Sequence, residues 1–372
     1  MAKKKRKVRF LIFVILFILY TFVAAKPIPP EQGFQKRFAI SVDRAIADSA
    51  QLDAEEASSG RYLPWTLGRY FGYTDFEGNF SLLRTRNQSS PEIVLSDSLW
   101  AEYNAAITEP DQSLSLKDIY GKEARTVENP RAYPLFIKNN LFLIDENYAK
   151  LSRLDAEGKT LWTFDFASPL TDIDYANGKT LAGCLNGSIQ LLDEAGKRIF
   201  QFEPGGSRLS VILACRLSED AGKIALVSGI DEQRFILMEQ SGNTYRAGFS
   251  AYYGDGFRRP VHLEFTGEDQ FVAFETESGL GVFNITERVM SMIPLAGRLL
   301  RLSSSDSATE GSNLALITRE EGNLNQFILI KLPDTLMFKA PFKANEVFLA
   351  QKDQYYFVGG DTHLGSLALE EQ

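Results

Sequence analysis

The sequence predicts an all-β fold: a β-propeller of seven four-stranded blades behind an N-terminal transmembrane or signal-anchor helix. Three observations carry this expectation. A strand–turn–strand motif recurs along the chain, with its turn glycines at 158, 196 and 242. Asn-Gly pairs separate short alternating apolar runs, the strongest local signal for a hairpin. An almost uninterrupted apolar run follows a basic N-terminus. No stretch after residue 61 sustains a 3.6-residue period, so no large helical domain is expected.

The N-terminal element is an address. Lys3, Lys4, Lys5, Arg6, Lys7 and Arg9 fill residues 1–9, and no acid precedes Glu31. Of residues 10–25, FLIFVILFILYTFVAA, only Thr21 is not apolar. At ~1.5 Å per residue the run spans about 24 Å as a helix, short for a ~30 Å hydrocarbon core and long for a signal-peptide core. Two readings stay open: an uncleaved anchor, and a signal peptide cut after the small residues Val23-Ala24-Ala25. Both send residues 26–372 out of the cytoplasm. The segment KKKRKV also resembles a nuclear-import signal, but a basic cluster abutting an apolar run is what membrane insertion uses. No Cys near residue 25 offers a lipoprotein anchor. Residues 26–60 read as a juxtamembrane linker: a stiff Pro-rich spacer, the strand-like segment 36–42, and an Ala/Asp/Glu-rich short helix over 43–59.

The body, residues 61–372, reads as a repeat. Leu154-Asp155-Ala156-Glu157-Gly158-Lys159-Thr160-Leu161-Trp162 is echoed by Leu192–Phe200 and more loosely by Met238–Tyr245. In the best unit, Leu170–Tyr175, Lys179–Leu185 and Ser188–Leu192 precede that motif, giving four strands per roughly forty residues, the signature of a propeller blade. Seven units begin near Arg61, Arg131, Ser168, Arg208, Arg259, Arg298 and Lys343. The region 101–130 is poorly patterned, so six or eight blades also fit. The last unit has room for three strands only, and the segment 36–42 is the expected fourth, because a ring left open exposes an unpaired edge. Trp100, Trp162, Phe200, Tyr245 and Phe338 are placed near the start of outermost strands, wedged between blades.

Composition removes several functions. The chain's net charge of −8 combines a basic N-terminus, residues 1–9, with 34 basic and 48 acidic residues in the rest of the chain, a net of −14. A body that acidic argues against a nucleic-acid grip. Two Cys exclude a disulfide scaffold and a Cys₄ zinc site, and two His leave little for a metal or a His-based triad. Cys184 and Cys215 read as buried small hydrophobes, with a cross-blade disulfide as the alternative. His262 and His363 read as structural or surface residues. No phosphate loop and no G-x-S-x-G elbow is present. The acidic turns at 155–158 and 193–196 need only turn geometry to explain them. No catalytic residue, metal or cofactor is expected.

Two candidate binding features remain. Arg61, Arg131, Arg208, Arg259, Arg298 and Lys343 each precede the innermost strand of a unit, and in register would ring one mouth of the central channel, a positive site for carboxylates or phosphates. The loop 249–260 carries Tyr252, Tyr253, Phe257 and Arg258, residue types enriched at interface hot spots, and should emerge on the same face.

Through Leu154–Trp162 and Leu192–Phe200 the chain resembles the PQQ-like and WD40-like propellers of the bacterial cell envelope, in particular non-catalytic members such as the outer-membrane assembly propeller. The resemblance implies a fold and a compartment: a single-pass inner-membrane protein with its propeller on the periplasmic side, or a periplasmic one if the signal is cleaved. The expected function is a membrane-tethered scaffold that binds an envelope protein or peptide and no nucleic acid. The alternatives are an enzyme acting on anionic glycans and a quinoprotein-like redox protein.

Overall fold

In the computed structural model the described residues are 32–48, 62–90, 92–254, 256–304 and 313–371. Their strands alternate as the turn signals dictate and assemble into eight sheets, not seven. Blade 1 covers 63–85, blade 2 92–128, blade 3 133–165, blade 4 170–202, blade 5 212–252, blade 6 263–294, blade 7 298–343 and blade 8 347–371. The correction lies between Arg61 and Arg131, where one expected unit is two sheets. Two features of blade 2 hide it. Its first strand, Glu92–Leu95, is only four residues long, and its second and third strands are joined through a 3₁₀ turn at Ala105–Thr108.

Blade 8 takes its outermost strand from the other end of the chain. Gln32–Ser41 hydrogen-bonds to His363–Glu371, and all of the expected closing segment 36–42 but Val42 lies in that strand. Phe38 is buried 6.1 Å from Phe357. A seven-residue helix, Val42–Asp48, follows; the remainder of the expected helix, the linker before Gln32 and the apolar run at 10–25 lie outside the described residues. Among the described residues no helix is long and apolar enough to cross a membrane.

In blade 4, Lys179–Cys184 pairs on one side with Leu170–Ala176 and on the other with Ile189–Leu192, which pairs with Arg198–Phe202. First strands of successive blades lie against one another from blade 2 round to blade 8, and blade 8's first strand meets Leu63–Leu67 of blade 1. The first strands therefore surround the centre, and the outermost strands form the perimeter. One face, here the connection face, carries the inter-blade connections and the turns between second and third strands. The opposite hairpin face carries the other turns.

The core is a set of apolar clusters between blades, such as Leu191, Leu226, Ile236 and Tyr245 between blades 4 and 5, or Phe235, Phe274 and Phe283 between blades 5 and 6. Burying two-sided sheets against neighbours supplies the hydrophobic stabilisation that a lone four-stranded sheet lacks. Trp162 is one of these wedges. Its ring lies 2.5 Å from where a Cβ on Gly196 of the next blade would sit, so that turn needs glycine for space as well as for its φ of 75°. Trp100, expected in an outermost strand, instead sits in the second strand of blade 2, 5.0 Å from Phe71.

The acidic turns are structural. Asp155 Oδ1 accepts the backbone N–H groups of Glu157 (3.0 Å) and Lys159 (2.8 Å). Asp75, Asp118 and Asp193 do the same in blades 1, 2 and 4. This turn precedes the outermost strand in blades 2–4. Its presence at Asp75 marks the three described strands of blade 1 as equivalents of a blade's second, third and fourth.

Candidate binding faces and the central channel

By connectivity, Arg131, Arg208, Arg258, Arg259, Arg298 and Lys343 all fall on the connection face. Arg61 lies outside the described residues. The described residues of the expected ring are not equivalent. Arg131, Arg298 and Lys343 are exposed, and Lys343 ends the outermost strand of blade 7, on the perimeter rather than the channel mouth. Arg208 is exposed and 3.3 Å from Asp231. Arg259 is held by Glu275 in a bidentate pair (3.0 and 2.5 Å), its partner's side chain only 2% exposed. That hydrogen bonding raises the Arg259 pKa and leaves its charge internally matched.

Arg259 and Arg298 do share a cavity of about 470 Å³ between blades 6 and 7, lined also by Phe257, Glu277, Leu295 and Leu299. The guanidinium of Arg259 lies 4.5 Å from the Phe257 ring centre. The interface loop is divided. Tyr253 packs against Phe274 at 5.3 Å, and Phe257 is half-buried, its carbonyl accepting from Gln233. Tyr252 and Arg258 are exposed, with Arg234 stacked over Tyr252. Three further apolar side chains, not expected from the sequence, are exposed on this face: Tyr148 in blade 3, Leu185 in blade 4 and Leu209 in the connection to blade 5. Each sits in a turn or connection, where an apolar residue has no burial reason to be.

The central channel holds a charged cluster that was not foreseen. Asp172 and Asp174, on the first strand of blade 4, reach sideways to blade 5. Asp172 accepts the backbone N–H of Cys215 and Asp174 that of Leu217, each at 2.8 Å. A first strand has one edge outside its own sheet, and these carboxylates satisfy it. Ser303 of blade 7 does the same for Gln351 of blade 8 at 2.9 Å. Asp172 also binds Arg216 at 2.6 Å, and Arg216 approaches Glu264 of blade 6 at 3.9 Å. Burial raises Asp172 above the usual carboxylate range despite Arg216. Burial, opposed by Arg216 and reinforced by Asp174 and Asp172, pushes Glu264 up to about 7. His262, just before the blade 6 strand that carries Glu264, has its proton affinity lowered by burial. Cys184 and Cys215 are free buried thiols, and among the described residues no three ligating side chains converge on a metal position.

A family described as β-propeller protein matches residues 1–372. A protein of Treponema pallidum (strain Nichols), described as uncharacterized, is 24% identical over 378 residues, covering 99% of this chain and 95% of its own length. Among solved structures, BamB from Moraxella catarrhalis aligns at a TM-score of 0.59 and 13% identity, over 91% of this chain and 99% of that one. The computationally designed Ika8 protein aligns at 0.59 and 14% identity, over 84% and 98%. At those identities the likeness is one of fold.

Proposed function

The chain belongs to this family of β-propeller proteins, and from that premise we propose that it is a non-catalytic scaffold that binds a protein or peptide segment through its connection face. In this reading residues 10–25 hold it at a membrane with the propeller outside the cytoplasm, in the envelope. The observation that carries the reading is the cavity between blades 6 and 7, which joins Phe257, Arg259 and the exposed Arg298 on the face that also bears Tyr252. Apolar and arginine side chains grouped around a concavity are what a protein interface uses as anchors. The exposed Tyr148, Leu185 and Leu209 extend the same face over three more blades. A ring of sheets locked by inter-blade clusters holds the backbone of such a face in place before binding, which lowers the ordering cost.

The test places a photo-crosslinking residue at Arg298 or Leu209 of the full-length chain in its native membrane, with Glu157 on the hairpin face as control. A discrete adduct from the first two positions and none from the third is expected. The Arg298→Glu variant, crosslinked from Leu209, should lose at least tenfold of the adduct at an unchanged melting temperature. Adducts independent of face, or none from either, would refute the reading.

A further inference from the structure

On the opposite side of the ring, independent of the connection face, the first strands of blades 3 to 7 enclose a cavity of about 680 Å³ at the hairpin end of the channel. That is the size range of a small-molecule site. Its wall is mixed, polar and apolar in similar measure, with Leu135, Ile173, Leu217, Phe265 and Leu302 among the lining residues. We infer that this cavity binds an organic cation, an alkylammonium or guanidinium group carried on an apolar stem.

The argument is one of charge and shape together. The charged groups facing the cavity are Asp174, Glu219, Glu264 and Asp269 against Arg216 and Lys138. Arg216 is already committed. Its Nη1 donates to Asp172 at 2.6 Å and to the Cys215 carbonyl at 2.7 Å, and its Nε lies 3.9 Å from Glu264, beyond hydrogen-bond distance. Asp174 is satisfied by the Leu217 N–H, and Asp269 accepts the backbone N–H of Glu219 at 2.7 Å. Glu264 is thus a carboxylate beside Asp174 and Asp172 whose nearest cation is held by Asp172, and its affinity for a proton near neutrality reflects that. A second positive charge delivered there would gain an ion pair in a partly screened site, where it is worth more than at the open surface. The cation is not a bare metal, because the carboxylates do not converge as ligands. They are spread over a cavity whose lining also offers apolar residues to a methylene stem.

A proton on Glu264 and the cation compete for one position, so binding must strengthen as pH rises through about 7. The experiment uses the full chain at fixed ionic strength and calorimetric titration with two probes: spermidine, and a short neutral peptide bearing one lysine. Spermidine binding identifies a free polyamine as the source of the cation, peptide binding a protein side chain. With either probe, affinity should fall about tenfold between pH 8 and pH 6. It should fall at least tenfold in Glu264→Gln and stay unchanged in Glu157→Gln, which removes an exposed acid elsewhere. No saturable binding of either probe at pH 8, or equal losses in the two variants, would overturn the inference. The pH series on the unmodified chain decides the same question without depending on any variant's fold.

Discussion

Replacing Glu264 by Gln should make the ring more stable at pH 8 than the unmodified chain, while leaving the two equal in acid. The folded chain holds the Glu264 proton more tightly than the unfolded chain, the pKa rising from an ordinary 4.5 to about 7 because burial and the neighbouring Asp174 and Asp172 disfavour the charge. Between those values the native state binds more protons than the unfolded one, so its stability falls as pH rises through about 7 and is level above it. A fully shielded carboxylate would cost about 3 kcal/mol on this basis. The Glu264 side chain is 42% exposed to the channel, and screening reduces the effect to about 1 kcal/mol. Gln keeps the shape and removes the titration. Urea unfolding at pH 5, 6, 7 and 8 measures it: the unmodified chain should lose about 1 kcal/mol across the series relative to the variant, a few degrees or less in melting temperature for a domain of this size. Parallel curves for the two proteins would show that the channel does not shield Glu264 and would refute the reasoning.

Two stability predictions test the joints between blades. Gly187→Ala puts a Cβ 1.7 Å from the Ser210 carbonyl of the blade 4–5 connection at a φ of 86°, and should cost more than about 2 kcal/mol in thermal unfolding. Gly205→Ala, at φ 62° with nothing within 4 Å of the new methyl, should cost only the ~1 kcal/mol of the backbone preference. Phe38→Ala empties the cluster that joins blades 8 and 1 and should cost about 3 kcal/mol or more. Amide exchange in the paired strand His363–Glu371 should quicken more than in the strands of blade 4.

Much of the blade was legible because it is local. The Asp-x-x-Gly turns at 155–158 and 193–196 declare themselves in sequence, since one carboxylate and two backbone N–H groups within five residues complete them. Asn177-Gly178 and Asn186-Gly187 mark their hairpins for the same reason, with φ above zero at Asn177 and at both glycines. The blade count was not legible in this way. Blade 2 lacks a tight turn between its second and third strands, so the period fades where a unit boundary had to be found. The arginines before the innermost strands were visible as a pattern, but not that Glu275 matches Arg259 or Asp231 meets Arg208. The channel cluster left no local signal, since Asp172 and Arg216 lie 44 residues apart. Single charges in alternating strands look like any solvent-facing position.

By itself the sequence determined the unit: four short strands, the chemistry of their turns, the apolar faces that need a neighbour, and a basic, apolar N-terminus set against an acidic body. Those properties depend on residues within a few positions of one another. Only the tertiary structure decided that eight sheets close the ring, that the last borrows its outer strand from residues 32–41, and that three first strands bring Asp172, Arg216 and Glu264 together. Closure is a property of how every sheet packs on the next, and the channel exists only once the ring is complete. The charges that meet there acquire their altered proton affinities from burial that no single blade can provide.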